Sequence, residues 1–437
     1  MRTIVLRRVA VALLIICGLT ATGTTYARGN AVGRVPMCEG HPATVVGHPG
    51  QRFVGTSHRD VIVTNGGFGT ARGGNDLMCV TGHARRMATV LTGPGADVVD
   101  AQAVPAGHRD SVVLGPGADS FRGGPASDFV YAGSGDNVVH TAGGHDFVDT
   151  GSFSRQTPNH SRIHVGPGPD IVAVEGRAAG VVVDGGTGSN RLFPFDFCCR
   201  SSRIVLDLPR EVMTRDGRVV MHVRGFNRFV VPLPARHFTF VGTAASEHLG
   251  FNSAYLCCRR PPKAPVLVRI HMGAGNDRVD STYELRGRVS GGPGNDLLTT
   301  LVRATAHVGI NLSHALAEDG QRVLRLAGLE RSDWRLAGSV PTVQVTGTPH
   351  ADQVELSHTR FGPARGLVTM DGLGGDDRLT VRIQPAILRG GPGDDVLRGG
   401  AGDDLLIGGG GRDRADGQGG KDSCDAETEI RCELPVG

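Results

Sequence analysis

Aromatic residues are scarce in this sequence. Its 437 residues include one Trp and four Tyr, and Phe, Trp and Tyr together make up 5% of the chain. Glycine is abundant instead, with 67 residues, and there are 24 prolines. A large globular core needs more bulky side chains and fewer turn formers, so this composition argues against one. A narrow, repetitive core fits it better.

Recognisable catalytic motifs are also missing. The sequence has no H-E-x-x-H zinc-protease motif and no G-x-S-x-G nucleophile elbow. Lysine occurs only at Lys263 and Lys421, so nearly all basic residues are Arg. We interpret this bias as compositional and predict no nucleic-acid partner. We also expect that the protein is not an enzyme.

Long apolar runs are lacking beyond the N-terminus. There, three arginines precede an apolar stretch at 9–19, and Thr25-Tyr26-Ala27 offers a small-residue cleavage site. These features predict a signal peptide at 1–27 and a secreted, extracellular protein. Its cleavage would remove three arginines from a formal net charge of +3. No later segment approaches the roughly 18 apolar residues of a membrane span.

A repeated nonapeptide is the main feature that the sequence does contain. Six units run without a gap from Gly372 to Asp425: GLGGDDRLT, VRIQPAILR, GGPGDDVLR, GGAGDDLLI, GGGGRDRAD and GQGGKDSCD. Five units have Asp at position six, and position eight is small or apolar in all six. Glycines permit a tight turn, and a short strand follows. Stacked copies of such a unit bury their position-eight side chains in one continuous core.

The nonapeptide pattern predicts two columns of carboxylates. Because two units make one coil, Asp377, Asp395 and Asp413 should stack on one side of the solenoid, and Asp404 and Asp422 on the other. Turns stacked about 4.8 Å apart bring carboxylates and backbone carbonyls together. Such a flexible oxygen cage suits Ca²⁺ better than Mg²⁺. We therefore predict Ca²⁺ as the ligand.

The run at 372–425 resembles the hemolysin-type calcium-binding repeats of secreted bacterial RTX proteins. In that family, Ca²⁺ lies between neighbouring turns of a parallel β-roll. The resemblance implies that Asp395 and Asp404 are side-chain ligands, with turns formed by Gly390, Gly391, Gly393, Gly399, Gly400 and Gly402. Further candidates for the metal sites, at matching positions, are Gly375, Asp377, Gly408, Gly409, Gly411, Asp413, Asp422, Asp277, Asp296, Asp119 and Asp128.

The repeat extends through much of the chain. A second in-phase block occupies 105–149, and single units recur between 55 and 299. Some N-terminal units have lost a glycine or the position-six Asp, so we expect strong calcium binding to concentrate at the C-terminal turns. Two β-rich interruptions, 204–252 and 308–356, share one order of strands and turns. We interpret them as degenerate coils because neither contains a recognisable nucleophile and base.

These observations predict an all-β fold: a parallel β-roll or β-helix solenoid built from nonapeptide repeats, with irregular β-rich interruptions. We divide the chain into a signal peptide at 1–27, a degenerate repeat solenoid at 38–200, a β-rich interruption at 201–271, repeat units with a second interruption at 272–371, a calcium-binding β-roll at 372–425 and a disulfide-closed tail at 426–437.

Eight cysteines remain once the signal peptide is removed, an even number that suits an oxidising exterior. We predict that Cys38–Cys79 clamps the start of the solenoid and Cys424–Cys432 its end. Cross-bridging is expected among the remaining four: Cys198, Cys199, Cys257 and Cys258. Zinc is the competing interpretation for these four, but their spacing does not match the usual ligand spacing.

The sequence thus favours a secreted, non-catalytic calcium-binding repeat protein with a structural, adhesive or cell-surface binding role. Folding should be coupled to Ca²⁺, because apposed carboxylates repel each other until an ion neutralises them. Expected partners are calcium ions and a cell-surface or extracellular polysaccharide or protein. The alternative is a carbohydrate-active parallel β-helix enzyme, of the polysaccharide lyase or epimerase type.

Overall fold

The computed structural model describes residues 35–82, 88–151, 158–174, 177–178, 180–194, 203–231, 237–251, 266–302, 307–318, 321–337, 342–358, 366–382 and 385–435. All regular secondary structure in these ranges is β. Within them, no helix has the length and apolar character needed to cross a membrane.

The N-terminal part of the solenoid consists of short strands separated by tight turns. Its strands are β1 (Met37–Cys38), β2 (His41–Pro42), β3 (Val45–Val46), β4 (Arg52–Val54), β5 (Val61–Val63), β6 (Phe68–Thr70), β7 (Leu77–Cys79), β8 (Ala88–Leu91), β9 (Val98–Asp100), β10 (Arg109–Val113), β11 (Ser120–Arg122), β12 (Ser127–Tyr131), β13 (Val138–His140), β14 (Phe147–Asp149), β15 (Pro158–Asn159), β16 (Arg162–His164), β17 (Ile171–Val174), β18 (Arg177–Ala178), β19 (Val181–Asp184) and β20 (Arg191–Pro194).

The central part has longer strands. They are β21 (Arg203–Asp207), β22 (Val212–Arg215), β23 (Arg218–Arg224), β24 (Arg228–Val231), β25 (His237–Val241), β26 (His248–Phe251), β27 (Val266–His271), β28 (Arg278–Ser290), β29 (Leu297–Val302), β30 (His307–Asn311), β31 (Ala315–Glu318), β32 (Gln321–Ala327), β33 (Arg331–Leu336), β34 (Thr342–Thr346) and β35 (Gln353–His358).

The C-terminal roll returns to short strands. They are β36 (Leu367–Asp371), β37 (Arg378–Val381), β38 (Ala386–Pro392), β39 (Val396–Arg398), β40 (Leu405–Gly410), β41 (Arg414–Asp416), β42 (Ser423–Asp425), β43 (Thr428–Ile430) and β44 (Leu434–Pro435).

Successive strands alternate between two parallel sheets. In the roll, Leu379 of β37 pairs with Leu397 of β39, and Leu388 of β38 pairs with Leu406 of β40. Each partner is two nonapeptides further along the chain, so one coil contains two units, as the sequence predicted. We call the sheet that contains β38 and β40 sheet 1, and the sheet that contains β37 and β39 sheet 2. The long strand β28 pairs in both sheets.

One hydrophobic core lies between the sheets and runs from Phe53 to Cys424. Position-eight residues such as Phe121, Val139 and Leu397 are fully buried in it. The core is continuous across the predicted segment boundaries between residues 200 and 372. Burying a Val, Leu or Phe side chain contributes roughly 1.5–3 kcal/mol, so the recurring apolar residue is the main local source of stability. The all-β solenoid is confirmed.

The two interruptions differ from simple coils because each inserts an antiparallel hairpin into sheet 1. In the first, β22 runs antiparallel to β21 and β23, which pair in parallel with β25 and β19. In the second, β31 runs antiparallel to β30 and β32, which pair with β34 and β28. Asp216 and Gly217 connect β22 to β23 with φ of 51° and 80°, the conformation of a tight two-residue hairpin loop. Among the described residues, sheet 2 receives no matching antiparallel strands.

Two disulfides close the ends of the described chain. Cys38 bonds to Cys79, 41 residues away, and Cys424 bonds to Cys432, 8 residues away. These are the two terminal pairings expected from the sequence. Closing loops of these lengths is worth about 4 and about 2.5 kcal/mol in the chain-entropy account. Cys198, Cys199, Cys257 and Cys258 lie outside the described residues.

Candidate functional site

Most position-six Asp residues are buried at the end of a turn and accept a hydrogen bond from the neighbouring coil. Asp395 shows the arrangement: its Oδ1 accepts the backbone N–H of Asp377 at 2.7 Å, and its own N–H donates to Asp413 Oδ1 at 2.9 Å. Only 1% of Asp395 is exposed. Since the next coil repeats these bonds, the carboxylates form a continuous column along the edge of the solenoid.

Such columns run along both edges. The edge before the sheet 2 strands carries Asp128, Asp146, Asp170 and Asn190, then Glu247, Asp277, Asp296 and Glu330, then Asp352, Asp377, Asp395, Asp413 and Glu427. The second column lies where the chain enters the strands of sheet 1. Its hydrogen-bonded residues are, in order, Asp60, Asp76, Asp97, Asp119, Asn137 and Ser161, and later Asp404, Asp422 and Glu433, with Ala386 donating its N–H to Asp404.

The turn glycines are required by the close approach of backbone and carboxylate. A Cβ on position-one Gly390 would collide with the carboxylate of Asp395, and one on Gly408 with that of Asp413. At position four, Gly393 has φ of 143°, and its Cβ would overlap the carbonyl of Gly375 in the preceding coil. Glycine therefore serves both the left-handed backbone and the contact between coils.

The other predicted turn glycines have similar places. A Cβ on Gly399 would clash with the carboxylate of Asp404, and the N–H of Gly400 donates to Asp404 Oδ2 at 2.8 Å. Gly375, Gly391, Gly409 and Gly411 all have positive φ. Gly402 has no positive φ, but a Cβ there would meet the ring of Pro385.

The second carboxylate oxygen is the unusual atom of these turns. The Oδ2 atoms of Asp377, Asp395, Asp413 and Asp422 are buried without any hydrogen-bond donor. Burial, with a smaller contribution from the neighbouring Asp352 and Asp395 carboxylates, raises the pKa of Asp377 to about 7. A buried oxygen anion without a donor is costly, so it needs a proton or a cation.

Two turns with Asn at position six show which groups surround the place of Oδ2. Asn190 occupies position six at 185–193, and its Oδ1 accepts the N–H of Asp170 just as an Asp would. Its Nδ2, in the place of Oδ2, donates to the backbone carbonyls of Gly185 and, at 2.9 Å, Gly225. Asn137 Nδ2 donates likewise to the carbonyl of Ala132 at 3.0 Å. The partner groups in these turns are acceptors, so an Asp oxygen in the same place faces carbonyl oxygens.

Comparison with known protein families supports a cation in such turns. A family model described as the RTX calcium-binding nonapeptide repeat matches residues 114–148 and 388–424, in four copies. The chain carries RTX calcium-binding repeats. Both matched segments lie within the carboxylate columns described above. No curated protein matches the chain.

The RTX-like turns offer the oxygen ligands that Ca²⁺ prefers, namely carboxylates and backbone carbonyls. Within the described residues, no group of three or more His, Cys, Asp or Glu side chains converges on one point. Side chains alone therefore cannot complete a cage, and backbone carbonyls would supply the remaining ligands. The orphaned Oδ2 atoms and the glycine-only space around them fit this requirement.

A third kind of turn satisfies its carboxylate without any cation. Thr348 follows Gly347 and donates its backbone N–H to Asp352 Oδ2 at 2.6 Å, while its hydroxyl donates to Asp352 Oδ1 at 3.2 Å. Thr56 donates both its backbone N–H and its hydroxyl to Asp60 Oδ2, at 2.6 and 3.0 Å. Thr243 contacts Glu247 in the corresponding turn, although Glu247 Oε2 stays without a donor.

The predicted N-terminal candidates also lie in the columns. Asp119 and Asp128 are buried with orphaned oxygens, as are Asp277 and Asp296 in the middle of the chain. Burial raises the pKa of Asp119 to about 7 and that of Asp296 to about 6. The expected concentration of calcium binding at the C-terminal turns stays a prediction, because the N-terminal coils carry the same unpaired oxygens.

Sequence reasoning missed several members of the columns. Asp110 pairs with Asp128 across strands β10 and β12, and all four of their carboxylate oxygens lack donors. Burial, then the adjacent Asp110, raises the pKa of Asp128. Asp76, Asp97, Asp146 and Asp170 have the same position-six signal and could have been included. Glu330, Glu427 and Glu433 carried no such signal because they stand outside the nonapeptide register.

Proposed function

We propose that this calcium-binding repeat protein is secreted and non-catalytic, and that Ca²⁺ completes its turns so that it can act as a structural or adhesive module. In the roll, Asp377, Asp395, Asp404, Asp413 and Asp422 would supply carboxylate oxygens, and the turn residues backbone carbonyls. Bound Ca²⁺ would neutralise the buried anions and join adjacent coils.

The observation that carries this proposal is the contrast between Asn190 and the Asp turns. The amide nitrogen of Asn190 bonds to carbonyls where Asp395 places an oxygen without a donor. An electropositive group is thus needed in the Asp turns, and Ca²⁺ supplies it. Extracellular calcium modules bind with dissociation constants of about 10⁻⁴–10⁻³ M, so export into a calcium-rich medium would complete folding.

The non-catalytic part of the proposal is supported by where the carboxylates lie. Those at position six are buried, and Asp377, Asp395, Asp404 and Asp422 are hydrogen-bonded between neighbouring coils. This is the environment of a structural ion. Secretion is supported by the N-terminal sequence and by the RTX-like repeats. Sequencing the N-terminus of protein recovered from culture medium would test cleavage after Ala27.

Circular dichroism tests the calcium step. Protein lacking residues 1–27 would be measured in EGTA and then in millimolar Ca²⁺, alongside a triple variant Asp377→Asn, Asp395→Asn, Asp413→Asn. We expect Ca²⁺ to increase the β signal of the wild type and to have a smaller effect on the variant. Asp425→Asn, at an exposed position of the same roll, is the matched control. An unchanged wild-type spectrum would rule out calcium-coupled folding.

A further inference from the structure

An arginine ladder crosses the outer face of sheet 1. Arg269 on β27 pairs in register with Arg288 on β28, which pairs with Arg325 on β32. Each arginine is exposed and alternates with buried neighbours such as Val268, so the three side chains point outward together. Adjacent strands lie about 4.8 Å apart, so the ladder presents three cations in a row over roughly 10 Å.

The ladder is not neutralised by the surrounding side chains. None of the three arginines forms an ion pair with another described residue, whereas nearby Arg278 and Arg286 are paired with Asp280 and Glu284. Three like charges at this spacing repel one another, which disfavours the arrangement unless an anion bridges them. Arg is also the side chain best suited to bidentate contacts with carboxylates.

The arginines line a cavity of about 820 Å³. Its other lining residues include Thr239, Ser290 and Leu267, and none of its lining residues, all of them described, is Asp or Glu. The cavity lies on the stretch of sheet 1 between the two inserted hairpins, where β25, β27, β28 and β32 are neighbours. The two insertions thus flank this cationic patch on sheet 1.

We propose that the arginine ladder binds a carboxylated polysaccharide. Its carboxylates would lie across the three guanidinium groups, and the hydroxyls of Thr239 and Ser290 are placed to contact sugar hydroxyls. A nucleic acid is a poorer match, because the lining offers no exposed Phe, Tyr or Trp side chain for base stacking and the chain has a formal charge of only +3. A membrane surface is a poorer match because Leu267, 42% exposed, is the one large apolar side chain of the lining that is exposed rather than buried or half-buried.

This inference gives the proposed adhesive role a ligand and rests on it. The test uses hyaluronate oligosaccharides, with neutral dextran as a control, and titration calorimetry at constant millimolar Ca²⁺. The ladder variant is Arg269→Ser, Arg288→Ser, Arg325→Ser. The matched control removes three exposed and dispersed arginines of the same sheet: Arg162→Ser, Arg218→Ser, Arg389→Ser.

We expect the wild type to bind hyaluronate and not dextran, with affinity falling as salt rises. The affinity for hyaluronate should fall about tenfold or more in the ladder variant and about twofold in the dispersed variant. Equal losses in the two variants, or no hyaluronate binding, would overturn the proposal. So would equally tight, ladder-dependent binding of duplex DNA or phosphatidylglycerol vesicles. Calcium-induced circular dichroism on the same samples separates the two proposals, because a normal calcium response without hyaluronate binding rejects only this one.

Discussion

The turns at 390–395 and 185–190 share their three glycines but differ at position six, where one has Asp395 and the other Asn190, and also at positions three and five. Both place glycine at positions one, two and four, both bury their position-six residue, and both accept an N–H bond from the preceding coil through Oδ1. Asn190 completes its turn by donating to carbonyls, whereas Asp395 leaves Oδ2 without a donor. The two turns thus share the Oδ1 bond to the preceding coil, and we attribute the requirement for a cation to the Oδ2 atom of Asp395.

The largest effect should come from the glycines that both turns share. Gly393→Ala and Gly188→Ala each place a Cβ against a carbonyl of the preceding coil at positive φ. We expect each to destabilise its coils by about 2–4 kcal/mol, with and without Ca²⁺. Local hydrogen exchange would measure this loss. Gly410→Ala is the control, since a Cβ there meets nothing within 4 Å; equal costs at 393 and 410 would refute the steric account.

Asn190→Asp should convert a complete turn into one that needs a cation. The new Oδ2 would face the carbonyls of Gly185 and Gly225, which Asn190 now satisfies. We expect the free energy of unfolding to fall by about 1–3 kcal/mol in EGTA and to recover partly in millimolar Ca²⁺. Urea unfolding in the two conditions would measure this change. Asn190→Ala is the control, because alanine has no carboxylate and its stability should not recover in Ca²⁺. A variant equally stable to the wild type in EGTA would contradict the comparison.

The calcium-free protein should be more stable in mild acid than at neutral pH. Burial raises the pKa of Asp377 to about 7 and of Asp404 to about 6, against an ordinary value of 3.8. A raised folded-state pKa stabilises the fold below the unfolded value, and this contribution is lost as pH rises to about 7. Thermal unfolding at pH 4.5 and pH 8, of protein stripped of Ca²⁺ at neutral pH and exchanged into calcium-free buffer, would show it. A higher melting temperature at pH 8 would contradict this account.

The smallest effect concerns the Thr turns. Thr348→Val removes the hydroxyl that donates to Asp352 but keeps the backbone N–H bond to its Oδ2. We expect a loss of about 1 kcal/mol that does not depend on Ca²⁺. Thr369→Val, on the outer side of β36, is the matched control in a urea titration. A loss that Ca²⁺ fully reverses would show that this turn also binds the ion.

The sequence predicted the features that repeat with the nonapeptide. The 18-residue coil and the separation of Asp377, Asp395 and Asp413 from Asp404 and Asp422 followed from the spacing alone, and both are present. The inserted strands β22 and β31 could not be predicted in this way, because antiparallel pairing depends on where the chain reverses.

The side chains at the ends of the columns could not be predicted from the sequence either. Glu427 and Glu433 accept the last N–H bonds of the two C-terminal columns, yet neither occupies position six. Their role depends on how far a longer side chain reaches from an irregular final coil. The roles of Asn190 and Thr348 could not be predicted either, because each is an ordinary polar residue until the carbonyl or carboxylate that it contacts is located.

Hydrogen exchange of the wild type in EGTA and in millimolar Ca²⁺ tests the central claim most directly. The two turns share their glycines and the N–H bond from the preceding coil to Oδ1 but differ at positions three, five and six, so the measurement is repeated on Asn190→Asp, which changes position six alone. We predict that Ca²⁺ slows exchange much more across 390–395 than across 185–190. An equal effect on both turns, or no effect at 390–395, would contradict the account.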